Sequence, residues 1–219
     1  MKLPRLVSGN RTYSSSSLRA WLLLNEFDIA FDETVIELFK DDSIERIAMY
    51  SPSLKLPVLV HGDIKVWDSL AICEYINESF LEGRAWPANQ KKKAAARSIA
   101  NELHADFQQF KKDWPMNCQL QTRMKVNGSI EEEIARLDAI MYACRSSYGD
   151  GGDYLFGNFS IADCMLAPMV IALKAYGAEL TQKSWSYINT LLSNPNLEWW
   201  LEQAENEQQD YDWNWEQTA

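Results

Sequence analysis

A proline at the head of an apolar strand, Leu56-Pro57 before Val58-Leu59-Val60, constrains this chain more than any other feature. Proline has no N–H to give a ladder, so it is accepted only at a strand's first residue, an edge or a bulge. A strand therefore begins here, at a bend. His61-Gly62-Asp63 supplies turn residues, and Ile64 and Val66 alternate with Asp63 and Lys65, which predicts a short antiparallel return strand. Trp67 and Asp68-Ser69 then precede Leu70, Ala71, Ile72, Tyr75 and Ile76, whose spacing is helical. Asp68 or Ser69 is the N-cap. The free amides and positive dipole end at such a helix start favour an anion, so a carboxylate-bearing ligand can dock on Ser69 and its neighbours. Taken alone, the Asp-Ser pair is better explained by plain capping.

The preceding segment reads as a strand at 3–7, broken by Gly9 and Asn10, then a buried helix face carrying Leu18, Trp21, Leu22, Leu23 and Leu24. Between them lies Thr12-Tyr13-Ser14-Ser15-Ser16-Ser17. A second strand is expected over roughly residues 31–38. Residues 82–87, with Gly83 and Pro87, read as a linker, and no strand-like alternation follows them. Helical spacing of Ile99, Leu103, Phe107, Phe110 and Trp114 predicts one long helix over about 88–112, and a second is expected over 129–145. Ser160-Ile161-Ala162-Asp163 is a Ser-x-x-Asp cap ahead of the apolar run 165–173, which must be buried on nearly every side. The order thus predicts an α/β domain over residues 1–82 and an all-helical domain over 88–219.

A chain of 219 residues is long enough for two small domains sharing an interface. The net charge of −10 argues against nucleic acid and anionic membranes as partners. No stretch approaches about 20 apolar residues, and the N-terminus lacks a basic segment followed by an apolar run, so the expected location is the cytoplasm. Cys73, Cys118, Cys144 and Cys164 are spaced neither as a zinc motif nor as a CxxC pair. With only two histidines, a metal site is not expected.

The Leu-Pro strand start, the hairpin and the Asp-Ser-Leu-Ala-Ile helix start together resemble the glutathione-binding half of the cytosolic glutathione transferases. The strand and helix order resembles their thioredoxin-like α/β domain, which an all-α domain follows. YSSSSLRAW at residues 13–21 is similar to the YSSWSLRPW pattern of a bacterial group near the zeta class, with Ser16 and Ala20 departing from it. The resemblance implies that the Leu56-Pro57 bond is cis, that the Leu56 backbone pairs with the cysteinyl part of glutathione, and that Asp68 and Ser69 hold its γ-glutamyl end. Lys40 stands where relatives place a cation for the glycyl carboxylate, and Lys55 is a further contact. Ser14 and Ser15 are the candidates for the hydroxyl that stabilises the glutathione thiolate, with Thr12 as fallback and Tyr13 disfavoured. A free thiol of pKa about 8.5 is only a few per cent ionised near neutrality, and lowering that pKa by two units takes about 2.7 kcal/mol.

The implied activity is transfer of glutathione to a small hydrophobic electrophile. His104, Phe107, Lys111 and Met116 are the candidate contacts to that second substrate, and the expected assembly is a homodimer. A zeta-like cis-trans isomerase that uses glutathione as a cofactor is the alternative chemistry. A non-catalytic binding or regulatory protein is the alternative class. A redox enzyme of the omega or glutaredoxin type would need a cysteine in residues 9–17, where there is none. Tyr211, Trp213 and Trp215 in the acidic tail are candidates for laying aromatics over a groove.

Overall fold

The structure is a computed structural model that describes residues 2–124, 126 and 128–208. Its first part is a four-stranded mixed sheet in the order β2-β1-β3-β4, made of β1 (Arg5–Gly9), β2 (Asp32–Ile36), β3 (Val58–His61) and β4 (Ile64–Val66). β1 pairs parallel to β2 and antiparallel to β3, and β3 turns back on β4 at Gly62, whose φ of 62° a residue without Cβ adopts freely. α1 (Ser15–Glu26), α2 (Ser43–Ala48) and α3 (Ser69–Phe80) complete this part. The hairpin and the helix after it stand where the proline, the turn residues and the Asp-Ser pair predict them. β1 departs from expectation: it runs through Gly9, because the parallel ladder continues to Gly9↔Ile36.

The second part is all-helical: α4 (Gln90–Ala105), α5 (Gln108–Asp113), α6 (Ser129–Tyr148), α7 (Ile161–Ala175), α8 (Gln182–Leu192) and α9 (Pro195–Glu205). The single helix expected over 88–112 is two. Phe107 adopts left-handed backbone at φ 62° and ψ 40°, and the chain restarts as α5. The cause lies far along the sequence. The Glu133 carboxylate, on α6, accepts hydrogen bonds from the N–H groups of Gln109 and Phe110, supplying the acceptors that a helix start lacks.

α7 is the centre of the core. From Ile161 to Leu173 every residue is buried, as the unbroken apolar run requires. Its cap residue Asp163 is fully buried and accepts from Leu155 N–H, Ser160 N–H, Ser160 Oγ and Tyr187 OH, all at 2.9–3.0 Å. Burial outweighs these four donors and lifts the Asp163 carboxyl from 3.8 to about 6. A carboxyl whose folded pKa is raised stabilises the fold fully below its unfolded value and loses that contribution as pH rises through the folded one. Relative to Asp163→Asn, the wild type is therefore expected to lose about 2–2.5 kcal/mol of unfolding free energy between pH 4 and pH 7 in urea titrations, and a flat difference would refute the assignment.

Candidate functional site

α1 begins at the end of β1. Its ends are polar and its middle is buried, with Leu18 to Leu24, Arg19 included, almost inaccessible to water. The residues before it are pinned. The Glu207 carboxylate accepts from Arg11 N–H at 2.6 Å, Thr12 N–H at 2.8 Å and Thr12 Oγ1 at 2.8 Å. Trp200 Nε1 donates to the Arg11 carbonyl, and Cys118 N–H to that of Thr12. Thr12 is thus buried and occupied by Glu207.

Ser14 is the N-cap of α1 but does not cap it, since its hydroxyl donates to Ser17 Oγ at 2.7 Å. Ser17 Oγ also accepts the Gly9 N–H at 3.0 Å, so a buried chain of hydrogen bonds runs from the strand end to Ser14. Ser15, the first helical residue, is half-buried, and its hydroxyl has no hydrogen bond to any described residue. The two serines differ in kind: one is held in the wall, the other is unengaged. Gly9 is required here because a Cβ would lie 2.8 Å from Ser14 Oγ and 3.0 Å from the Leu38 side chain.

The Leu56-Pro57 peptide bond is cis. Leu56 lies just before the β3 ladder, which starts at Val58↔Val7, and none of its main-chain groups is hydrogen-bonded to a described residue. Its N–H and C=O remain for a ligand. Lys55 is exposed beside it.

Asp68 is the N-cap of α3. Its Oδ1 accepts from Leu70 N–H and Ala71 N–H at 3.1 and 3.3 Å, and the Asp68 carbonyl takes Ile72 N–H. That leaves Ser69. Its Oγ is buried and unpartnered among the described residues, and its N–H is likewise unfilled. A buried hydroxyl without a partner costs about 1–3 kcal/mol, so an oxygen-bearing ligand fits this position. Lys40 stands across the β1–α1 loop, half-buried, lining with Asn10, Tyr13, Glu37 and Phe39 a cavity of about 240 Å³.

The four residues expected to contact a second substrate are placed differently. Phe107 and Met116 pack into the core and are 4% and 6% exposed. Lys111 Nζ donates to the carbonyls of His104 and Asp106 at 2.9 and 2.6 Å, tying the end of α4, and burial lowers its pKa to about 8. His104 Nε2 lies 2.7 Å from Asp68 Oδ2, so it meets the α3 cap. Helical periodicity shows which residues share a face; it does not show that α4 stops at Ala105 and turns that face against α3. Glu207 carried no motif and was missed. Tyr211, Trp213 and Trp215 lie outside the described residues.

The remaining thiols are inert. Burial pushes Cys73, Cys118 and Cys144 up to about 12 and Cys164 well above its usual value.

The sequence profile of the N-terminal domain of glutathione S-transferases matches residues 13–79, and that of their C-terminal domain matches residues 127–203. This chain belongs to the glutathione S-transferase family. Glutathione S-transferase 1 of Dianthus caryophyllus is 27% identical over 183 residues, covering 77% of this chain and 78% of its own. A probable maleylacetoacetate isomerase of Vibrio cholerae is 24% identical, covering 77% and 81%. Among solved structures, a glutathione transferase homolog from Burkholderia gl BGR1 with bound glutathione superposes with a TM-score of 0.71 at 21% identity, covering 94% of this chain and all of that one. Poplar glutathione transferase F1 gives 0.69 at 16% identity, with 94% and 100% covered. The glutathione transferase fold is thus the fold of this chain, with the thioredoxin-like part first and the helical part second.

Because Gly9 admits no Cβ, Gly9→Ala is expected to cost about 1–3 kcal/mol in thermal unfolding by forcing Ser14 or Leu38 aside. An unchanged melting temperature would show that the Ser14 wall is soft.

Proposed function

We propose that this chain is a glutathione transferase that binds glutathione along one edge of the thioredoxin-like part and delivers its thiolate to a small hydrophobic electrophile. The observation that carries the reading is the buried Ser69 hydroxyl at the start of α3, unpartnered among the described residues, beside an Asp68 whose carboxylate is already fixed. Ser69 Oγ and N–H receive the γ-glutamyl carboxylate, and Asp68 receives its ammonium. The main chain of Leu56, ahead of Pro57 and unpaired among the described residues, aligns the cysteinyl unit. Lys40, with Lys55 at the rim, faces the glycyl carboxylate.

The thiol then lies toward the N-terminus of α1. Loss of its proton to solvent leaves a thiolate, which a serine hydroxyl and the helix dipole stabilise. Ser15 brings an unengaged donor. Ser14 can supply one as well, because reversing its bond with Ser17 leaves Ser17 as donor to Ser14 and frees the Ser14 proton for sulfur. The thiolate forms a C–S bond to the electrophilic carbon, and either a leaving group departs with the electron pair or a proton is taken up at the neighbouring carbon. The electrophile meets this sulfur from the side of the helical part. His104 and Lys111 reach that side only through the bonds they already make, and Phe107 and Met116 back it from within the core.

The maleylacetoacetate isomerase relatives and the serine pattern at residues 13–19 favour one second reading. There the thiolate adds to a conjugated alkene, the former double bond rotates, and elimination returns glutathione unchanged. Consumption of glutathione during turnover separates the two.

We place the division between the two parts within residues 83–87, the molecule in the cytoplasm, where four free thiols suit a reducing compartment, and its dimer contact at the open β4 edge. Ile64 and Trp67 are exposed there.

The deciding experiment is ultraviolet titration of the thiolate of bound glutathione. The wild type is expected to lower the thiol pKa by about two units, and Ser14→Ala or Ser15→Ala to restore most of it. Binding with an unshifted pKa would instead support a non-catalytic glutathione-binding protein. Ser69→Ala is expected to weaken glutathione about tenfold or more by calorimetry while leaving the pKa of the bound thiol unchanged.

A further inference from the structure

His104 stands at the end of α4, and Asp68 caps α3, so their 2.7 Å contact joins the helical part to the ligand-binding edge of the thioredoxin-like part. The protonation state follows from the surroundings. His104 Nδ1 is buried with no described partner. A proton on it would be a buried donor without an acceptor, whereas a bare nitrogen leaves only a lone pair unmet. Burial, with the nearby Arg19 and Lys111 cations, outweighs the pull of the Asp68 carboxylate and disfavours the charged ring. His104 is therefore neutral, with its proton on Nε2, donating to Asp68 Oδ2.

This completes the count on Asp68. A carboxylate offers about four lone-pair sites. Oδ1 accepts from Leu70 N–H and Ala71 N–H, and Oδ2 accepts from His104. One site on Oδ2 is left, on the residue before Ser69, whose hydroxyl has no partner among the described residues. Both oxygens are thus locked in direction, and the remaining lone pair is aimed rather than free to rotate. His104 is held in its turn, because Lys111 Nζ bonds the His104 carbonyl and Asp106 carbonyl, fixing the last turn of α4.

We infer that His104 is a positioning residue for glutathione binding: a neutral imidazole from the helical part that fixes the Asp68 carboxylate so that its one open lone pair receives the γ-glutamyl ammonium. The inference rests on the assignment of Asp68 and Ser69 to the γ-glutamyl end made above. It gives His104 a part in holding glutathione and none in contacting the electrophile. It also makes the docking of α4 on α3 a requirement for affinity.

The test uses the full chain, with glutathione affinity read by calorimetry and the pKa of the bound thiol by ultraviolet absorbance. His104→Ala is expected to weaken glutathione about tenfold and to leave the bound thiol's pKa where it was, since the defect lies at the far end of the tripeptide. His104→Gln, whose side-chain amide presents a donor near the Nε2 position, is expected to recover affinity to within about threefold of wild type. Wild-type affinity in His104→Ala overturns the inference, as does a thiol pKa that moves with the affinity. Failure of His104→Gln to improve on His104→Ala at equal melting temperature overturns it too. Should the wild type itself not bind glutathione, the assignment of the γ-glutamyl site falls, and this inference with it. Normal wild-type binding with an indifferent His104→Ala removes the inference alone.

Discussion

Everything in this molecule hangs on α1, a helix with no free side. One flank packs on the sheet and α3, the other on α7 and α9, so the residues from Leu18 to Leu24 belong to the core of both parts at once. Burying a large aliphatic or aromatic side chain contributes about 1.5–3 kcal/mol, and α1 commits Leu18, Trp21, Leu22, Leu23 and Leu24 to this seam. The helix cannot slide or tilt without opening the interface on either side. Its N-terminus, with Ser14 and Ser15, is therefore placed by hydrophobic packing, and the polar contacts around Arg11 and Thr12 only trim the approach.

Two helix starts then face the same edge with opposite treatments. α3 is closed by its own cap, since Asp68 takes two amides and leaves Ser69 as the open donor. α1 is not closed by its cap side chain, since Ser14 turns its hydroxyl inward to Ser17 and, among the described residues, only the Ser15 N–H is taken, by the Tyr13 carbonyl. A helix start left open keeps its amides and dipole for an anion, and one closed by a carboxylate presents a negative group for a cation. The first suits an anion and the second a cation. The distance between the two helix starts is set by β1 and β4, which lead into them.

Much of this was written locally in the chain. Leu56-Pro57, the His61-Gly62-Asp63 turn and the Asp68-Ser69 pair act within a few residues of themselves, so the hairpin, the helix start and the capped α7 were legible without a structure. The bonds that were not legible all join distant positions. Glu133 starts α5 from 24 residues away, and Glu207 grips the Arg11 and Thr12 amides across nearly the whole sequence. The periodicity of Leu103, Phe107 and Phe110 is helical on both sides of a break, and nothing in that spacing marks Phe107 as left-handed. His104 shows the same limit. Its helix face was legible, but its partner Asp68 lies on another element, and only the packing of α4 on α3 brings the pair together.

The central claim is that the α3 start is a purpose-built seat for the γ-glutamyl end, held ready by the packing behind it. Calorimetric comparison of glutathione with cysteinylglycine, which keeps the thiol and the glycyl carboxylate but lacks the γ-glutamyl unit, tests it most directly. The account predicts that cysteinylglycine binds at least about tenfold more weakly, since the Ser69 hydroxyl and the Asp68 carboxylate then lose their partners. Equal affinity for the two would contradict it, and would mean that the Ser69 hydroxyl, without a partner among the described residues, serves some other ligand.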